Sequence, residues 1–259
     1  MSCPVCEAEV KTHAYECEVA PYKGKVLQVH RCTGCDFVQL PENIGGFSKV
    51  VSNATLEGSL RSLRNGNDER PGREFYMAGM GIDMLGLDAP SVTFFGSGLN
   101  ADHRWVKSKY PNATTKLVDL ENMQGLESFE TIAEATPSDV IVASEVIEHF
   151  EEPLEHFKSL IRLIKPNGIL ICSTNVYDGT DIRRHQYPFV PGHVAYWSPL
   201  ALIKVATDLG CFVDFRTPEV GMHRGGPRKK YVIFYRNIEL LFRISHYFGT
   251  HRLAPSEKE

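Results

Sequence analysis

Four cysteines near the amino terminus fall into two closely spaced pairs. The pairs are Cys3–Cys6 and Cys32–Cys35, each with two residues between the thiols. Four thiolates at this spacing match the tetrahedral coordination of Zn²⁺ and leave no open position for a catalytic water. A segment this short cannot bury enough surface to fold alone, so metal binding would supply its folding energy. The pattern predicts a structural zinc ribbon over residues 1–40, with free thiols or a redox pair as the alternative. Spare candidate ligands are Cys17, His13 and His30.

A second group of residues suits the binding of a nucleoside. Gly96, Ser97 and Gly98 follow an apolar run that ends at Phe95, and glycine lets the backbone turn tightly and approach a ligand closely. Asp119 ends another apolar run roughly 20 residues later, where a carboxylate can accept hydrogen bonds from both ribose hydroxyls. The combination is typical of a nucleoside site. The alternative is an ordinary turn beside a solvated aspartate.

Candidate acid–base groups lie in two further places. Glu148 and His149 follow a third apolar run, and His193 lies in the long segment that precedes Ser198. A carboxylate or an imidazole can remove a proton from an attacking oxygen or nitrogen atom. The alternative is that His149 begins a helix and that His193 packs beside Trp197.

Strand and helix patterns alternate along the part of the chain that carries these residues. Such alternation predicts an α/β fold with a doubly wound, mostly parallel sheet, whose ligands bind outside the carboxyl ends of the strands. The last two predicted strands flank a Gly-rich loop and would pair antiparallel. Predicted strands cover residues 92–95, 115–119, 139–144, 169–173, 211–215 and 231–235, and predicted helices cover 75–87, 102–110, 153–165 and 199–209.

Three stretches of this region resemble class I S-adenosylmethionine-dependent methyltransferases. They are residues 140–149 (VIVASEVIEH), 164–170 (IKPNGIL) and 193–200 (HVAYWSPL). The resemblance implies a Rossmann-like methyltransferase fold with a seven-stranded sheet. It divides the chain into a zinc ribbon (1–40), a connector with a leading helix (41–90) and an S-adenosylmethionine-binding domain (91–259). Some sugar-modifying C-methyltransferases of this family carry a similar cysteine-rich amino-terminal region.

The resemblance also implies the roles of individual residues. S-adenosylmethionine would be the cofactor, Leu120 would lie against its adenine, and Zn²⁺ would be structural. Two positions depart from the family pattern, because Phe94 stands where an acid is usual and Asn100 where a third glycine is frequent. The implied cofactor-binding residues are Gly96, Ser97, Gly98, Asp119, Leu120, Ser144 and Glu145, and the implied catalytic residues are Glu148, His149 and His193.

Composition limits the partners of the protein. The 259 residues include 28 Lys and Arg against 32 Asp and Glu, for a net charge of −4. Nucleic-acid binders are more often basic, so this balance argues against a nucleic-acid partner. Charged residues interrupt the apolar stretch 231–248, which predicts no membrane span, and the absence of a leader pattern predicts a cytoplasmic protein. The oligomeric state is left open.

These observations favour methyl transfer to a small polar metabolite, such as a sugar or a nucleotide-linked sugar. One alternative is an NAD-dependent oxidoreductase, because Gly96, Gly98 and Ala101 together with Asp119 fit the dinucleotide-binding fingerprint. The other alternative is a non-catalytic zinc-ribbon adaptor on a degenerate methyltransferase fold, which Phe94 and the absence of a third glycine favour.

Overall fold

The computed structural model describes residues 1–18, 23–40, 66–190, 192–217 and 228–253, with side chains as far as residue 249. Residues 41–65, half of the segment predicted as connector and leading helix (41–90), lie outside the described residues. The strands are β1 (Val10–Glu16), β2 (Val26–Cys32), β3 (Val38–Gln39), β4 (Ser91–Phe95), β5 (Thr114–Asp119), β6 (Phe129–Thr131), β7 (Ser138–Ser144), β8 (Ile164–Asn175), β9 (Ala195–Tyr196), β10 (Phe212–Arg216) and β11 (Lys229–Tyr235). The α-helices are α1 (Arg73–Leu85), α2 (Asp102–Lys109), α3 (Pro153–Ile161), α4 (Pro199–Asp208) and α5 (Leu240–Leu253).

A seven-stranded sheet with the order β10-β11-β8-β7-β4-β5-β6 occupies the centre of the protein. Strands β4 to β8 pair in parallel, whereas β11 pairs antiparallel with both β8 and β10. The predicted α/β class, the mostly parallel seven-stranded sheet and the antiparallel closing pair are confirmed. The strand order reverses between β4 and β7, and ligands of such sheets bind at this reversal, beyond the carboxyl ends of the strands.

Helices cover both faces of the sheet. Strand β7 contains a continuous apolar run, fully buried from Val140 to Ala143, as expected for a strand with helices on either side. One face packs against α1, α2 and α5, and the other packs against α3 and α4. The carboxyl ends of the strands remain available for a site.

The helix predicted over residues 153–165 is shorter than expected. It ends at Ile161, and β8 begins at Ile164, because the Ser138 amide donates a hydrogen bond to the Leu163 carbonyl and draws the chain into the sheet. Gly168 is needed within β8, since a Cβ there would lie 2.8 Å from the Asp139 carbonyl oxygen. The Pro-Asn-Gly sequence therefore shapes the start of a strand.

A second, four-stranded sheet has the order β1-β2-β3-β9. Its strand β9 comes from the segment between β8 and α4, so the ribbon shares a sheet with residues of the larger domain. Val38 pairs with Tyr196 and Gln39 with Ala195. The Leu40 amide also donates to the Val194 carbonyl at 2.9 Å. No helix among the described residues is both long and apolar enough to span a membrane.

Candidate active site

The four paired cysteines meet at one point of the ribbon. The Cys3 and Cys35 sulfur atoms are 3.8 Å apart, those of Cys6 and Cys32 are 3.3 Å apart, and all four lie within 4.8 Å of one another. Sulfur atoms bound tetrahedrally at ~2.3 Å from Zn²⁺ would be roughly 3.8 Å apart. Gly34 permits this approach, since a Cβ there would lie 2.8 Å from the Ala8 Cβ. The donor set fits a single Zn²⁺ ion.

The glycine bend, residues 96–98, follows β4 at the reversal of strand order. Gly96 and Gly98 have φ angles of +67° and +55°, a region that favours glycine. A Cβ at Gly96 would lie 2.8 Å from a methyl of Val146, whereas a Cβ at Gly98 would meet no atom within 4 Å. The bend therefore packs tightly on one side and leaves open space at Gly98.

Asp119, at the end of β5, holds the bend in place. Its Oδ2 accepts a hydrogen bond from the Gly98 amide at 3.0 Å, and its Oδ1 accepts one from the Leu120 amide at 2.7 Å. The carboxylate is buried, and burial raises its pKa. Each oxygen retains acceptor capacity for a ligand hydroxyl. The neighbouring Leu120 side chain is 48% exposed and offers an apolar surface to a planar ring.

Ser144 and Glu145 lie at the carboxyl end of β7. Ser144 is buried, and its hydroxyl has no hydrogen-bond partner in the described structure. Glu145 has a φ of +57°, which is uncommon for a residue other than glycine and is frequent at functional sites. Its carboxylate pairs with Lys229 and lies 3.4 Å from Arg73. Sequence reasoning missed both cations, since no local pattern links positions so distant in the chain.

The three predicted acid–base residues come together beyond β7. One donor atom from each of Glu148, His149 and His193 lies within 4.8 Å of the others, so the group could hold a divalent cation. The two imidazole rings pack edge to face with centroids 5.0 Å apart. His149 Nδ1 is 2.7 Å from the Gly192 carbonyl, and His193 Nδ1 is 2.6 Å from the Tyr187 carbonyl. Because a carbonyl only accepts, each Nδ1 carries the proton and each Nε2 presents a lone pair.

Burial sets the protonation of this acid–base cluster. It raises the pKa of the fully buried Glu148 to about 7. It also lowers the pKa of His149, and it lowers that of His193 to about 3, so both rings are neutral at physiological pH. The Tyr187 hydroxyl donates to Glu148, and the Thr174 hydroxyl lies 2.9 Å from the Tyr187 oxygen. The cluster can exchange a proton near neutral pH.

The glycine bend and the braced Asp119 lie at the reversal of strand order in an α/β sheet, the position at which proteins of this class bind ligands. Residues 73–214, more than half of the chain, match a family described as a methyltransferase domain. The chain belongs to this family, and the resemblance stated from the sequence is confirmed.

Individual relatives agree with this assignment at low identity. A ubiquinone biosynthesis O-methyltransferase from Cereibacter sphaeroides is 29% identical over 152 residues, or 58% of this chain and 56% of that protein. One from Roseobacter denitrificans is 26% identical over 182 residues, or 68% of this chain and 65% of that protein. The chain thus spans about half to two thirds of the length of these relatives. The structure of the mitomycin 7-O-methyltransferase MmcR shares the fold, with a TM-score of 0.51 and 15% identity over 75% of this chain and 62% of that one.

Proposed function

We propose that this protein transfers a methyl group from S-adenosylmethionine to a small polar acceptor. The observation that carries the proposal is Asp119, which is buried, braces the glycine bend and lies at the reversal of strand order in a methyltransferase-domain fold. The two backbone hydrogen bonds fix the carboxylate before any ligand binds, and such preorganisation reduces the entropic cost of binding.

The cofactor would lie along the carboxyl edge of the sheet. The glycine bend, with Ser97 between its two glycines, would flank the methionine and ribose portions, Asp119 would accept from the ribose hydroxyls, and Leu120 would cover the adenine. Ser144 and Glu145, at the end of β7, would lie alongside the cofactor. When bound, the cofactor supplies an electrophilic methyl group on a sulfonium, so the protein contributes mainly by positioning the acceptor.

The acid–base cluster would serve the acceptor. A hydroxyl acceptor must lose its proton as it attacks, and a base with a pKa near the working pH is effective. Glu148 has such a pKa, and the Tyr187 hydroxyl holds its carboxylate in place. His149 and His193, both neutral, would accept hydrogen bonds at Nε2 from the acceptor, or would ligate a divalent cation together with Glu148.

The acceptor is proposed to be a small polar metabolite, such as a sugar or a nucleotide-linked sugar. The names of the relatives, which are O-methyltransferases, favour an oxygen atom as the methylated position. The ribbon would bind a structural Zn²⁺ through Cys3, Cys6, Cys32 and Cys35, because their sulfur spacing fits that ion.

Calorimetry with S-adenosylhomocysteine and with NADH tests this function against its two alternatives. We expect S-adenosylhomocysteine to bind with one site per chain and NADH not to bind. Binding of NADH alone would establish the oxidoreductase. Binding of neither ligand by protein that unfolds cooperatively would favour the non-catalytic adaptor.

A further inference from the structure

Two buried carboxylates beside the glycine bend have no role in the function proposed so far. Glu74, in the first turn of α1, is 5% exposed, and Asp102, the first residue of α2, is 0% exposed. Acidic side chains are almost never buried to this extent unless they are paired. Their burial therefore requires an explanation.

One oxygen of each carboxylate has no hydrogen-bond partner among the described residues. Asp102 Oδ1 accepts from the Gly72 amide at 2.6 Å, but Asp102 Oδ2 has no donor, and neither has Glu74 Oε2. A buried polar atom without a partner is costly. Within the described part of the chain, each of these two oxygens is left without a donor, and a ligand could supply one.

Asn100, two residues after the glycine bend, interacts with both Glu74 and Asp102 through its side chain. The Asn100 side-chain oxygen accepts from the amides of Gly66 and Asp102, both at 3.0 Å. The charges of Asp102 and of Asp119 both act on Glu74, which lies in the same neighbourhood as the proposed ribose-binding residue. Burial, followed by the Asp102 charge, raises the pKa of Glu74 to about 8, against the opposing effect of its hydrogen bond with the Asn100 side chain. A cation bound beside the carboxylate would favour its ionised form.

The expected acid of the glycine bend is replaced by a core residue. Phe94 is buried within β4, and its ring packs edge to face with His103 at a centroid distance of 6.3 Å. A phenyl ring at this position has neither the negative charge nor the lone pairs with which a carboxylate binds a cationic group. A ligand with an amino-acid end would need its negative partner from another element.

We propose that Glu74 and Asp102 bind the ammonium group at the amino-acid end of S-adenosylmethionine. An ammonium carries three N–H donors and a positive charge, and it would give the two unpartnered oxygens the donors they lack. The proposal rests on the proposed cofactor, but it assigns this contact to the elements α1 and α2 in place of the residue at position 94.

The test compares two ligands that differ only at this end. S-adenosylhomocysteine carries the amino acid, whereas 5′-methylthioadenosine has the same adenosyl thioether without it. In the Glu74→Gln variant we expect S-adenosylhomocysteine to bind about 10- to 100-fold more weakly, the usual range for loss of a charged hydrogen bond. Binding of 5′-methylthioadenosine should be unchanged. The matched control is Glu69→Gln, an exposed residue in the turn before α1, which should alter neither affinity.

The outcomes separate the two proposals. If the unmodified protein binds neither ligand, the proposed cofactor is wrong. If it binds both and Glu74→Gln changes neither affinity, or weakens both equally, the ammonium site is wrong. Asp102→Asn provides a second variant should Glu74→Gln fail to fold, and a thermal unfolding curve for each variant shows whether its fold is retained.

Discussion

At the residue scale, Asp119 is the side chain on which the proposed cofactor site depends. Its two oxygens accept hydrogen bonds from two different backbone segments, the bend at Gly98 and the residue that follows Asp119 in the chain, Leu120. An amide in its place would direct an NH₂ group at one of these N–H donors. The same change would therefore disturb the bend and remove the charge that would face the ribose.

We expect Asp119→Asn to weaken the binding of S-adenosylhomocysteine by at least about 10-fold, corresponding to one charge-assisted contact. Calorimetry measures this affinity. The exposed Glu121→Gln, two positions further on, is the control and should bind normally. Unchanged affinity in a folded Asp119→Asn protein would remove this residue from the site.

The rate of methyl transfer should depend on pH through Glu148. Because burial raises the pKa of Glu148 to about 7, its carboxylate is protonated at pH 6 and ionised at pH 8. A carboxyl group acts as a base only when it is ionised, so the single-turnover rate of methyl transfer should rise with pH and level off above ~8. His193, neutral because burial lowers its pKa to about 3, would give no rise in this interval.

The matching variant is Glu148→Gln, which should lower the rate by about 10²- to 10⁴-fold and abolish the rise. The measurement is the pH profile under saturating cofactor. A Glu148→Gln enzyme that keeps the rise near pH 7 would show that another group is the base. Stimulation of the native enzyme by an added divalent cation would favour metal ligation by this cluster.

At the element scale, the sheet could be read from the sequence because its strands are local apolar runs. The glycine bend and Asp119 were also readable, since each follows directly from a strand end. The proximity of Glu148 and His193 was not, because the segment after β8 has no periodic pattern and its course depends on tertiary contacts. Strand β9 has only two residues, too few for any pattern, and its pairing with β3 depends on the ribbon being folded.

Trp197 joins three of these elements. Its indole nitrogen donates to the Ile147 carbonyl at 2.8 Å, and its ring packs on Phe37 of the ribbon and on Phe157 of α3, with centroids 4.7 Å and 5.0 Å away. All three aromatic residues are almost completely buried. The ribbon therefore contributes the Phe37 ring to the core that packs beside the acid–base cluster.

We expect Phe37→Ala to lower the free energy of unfolding by about 3–5 kcal/mol, the range for truncating a buried phenylalanine. Chemical denaturation measures this quantity. The control is Phe242→Ala on α5, a residue 77% exposed, for which the change should stay within about 0.5 kcal/mol. Equal effects of the two substitutions would mean that the ribbon adds nothing to the stability of the larger domain.

At the scale of the whole molecule, a short path of contacts connects the cysteine cluster to the acid–base cluster. The Leu40 amide, just after β3, donates to the Val194 carbonyl, and the Val194 amide donates to the Glu148 carbonyl at 2.9 Å. His193 is adjacent to Val194 in the chain. Ordering of the ribbon by the proposed zinc should thus help to hold the acid–base cluster in place.

The purified protein should contain one zinc per chain by elemental analysis, and Cys6→Ser with Cys35→Ser should lose it. Without the metal, the amides of β9 should exchange with deuterium faster because β3 no longer pairs with them, whereas the amides of β7 in the central sheet stay protected.

Cys211→Ser is the control, since Cys211 is outside the cluster and its loss should leave zinc content unchanged. Native protein without zinc would contradict the structural metal. Unaltered exchange at Tyr196 after zinc loss would show that the ribbon does not brace β9.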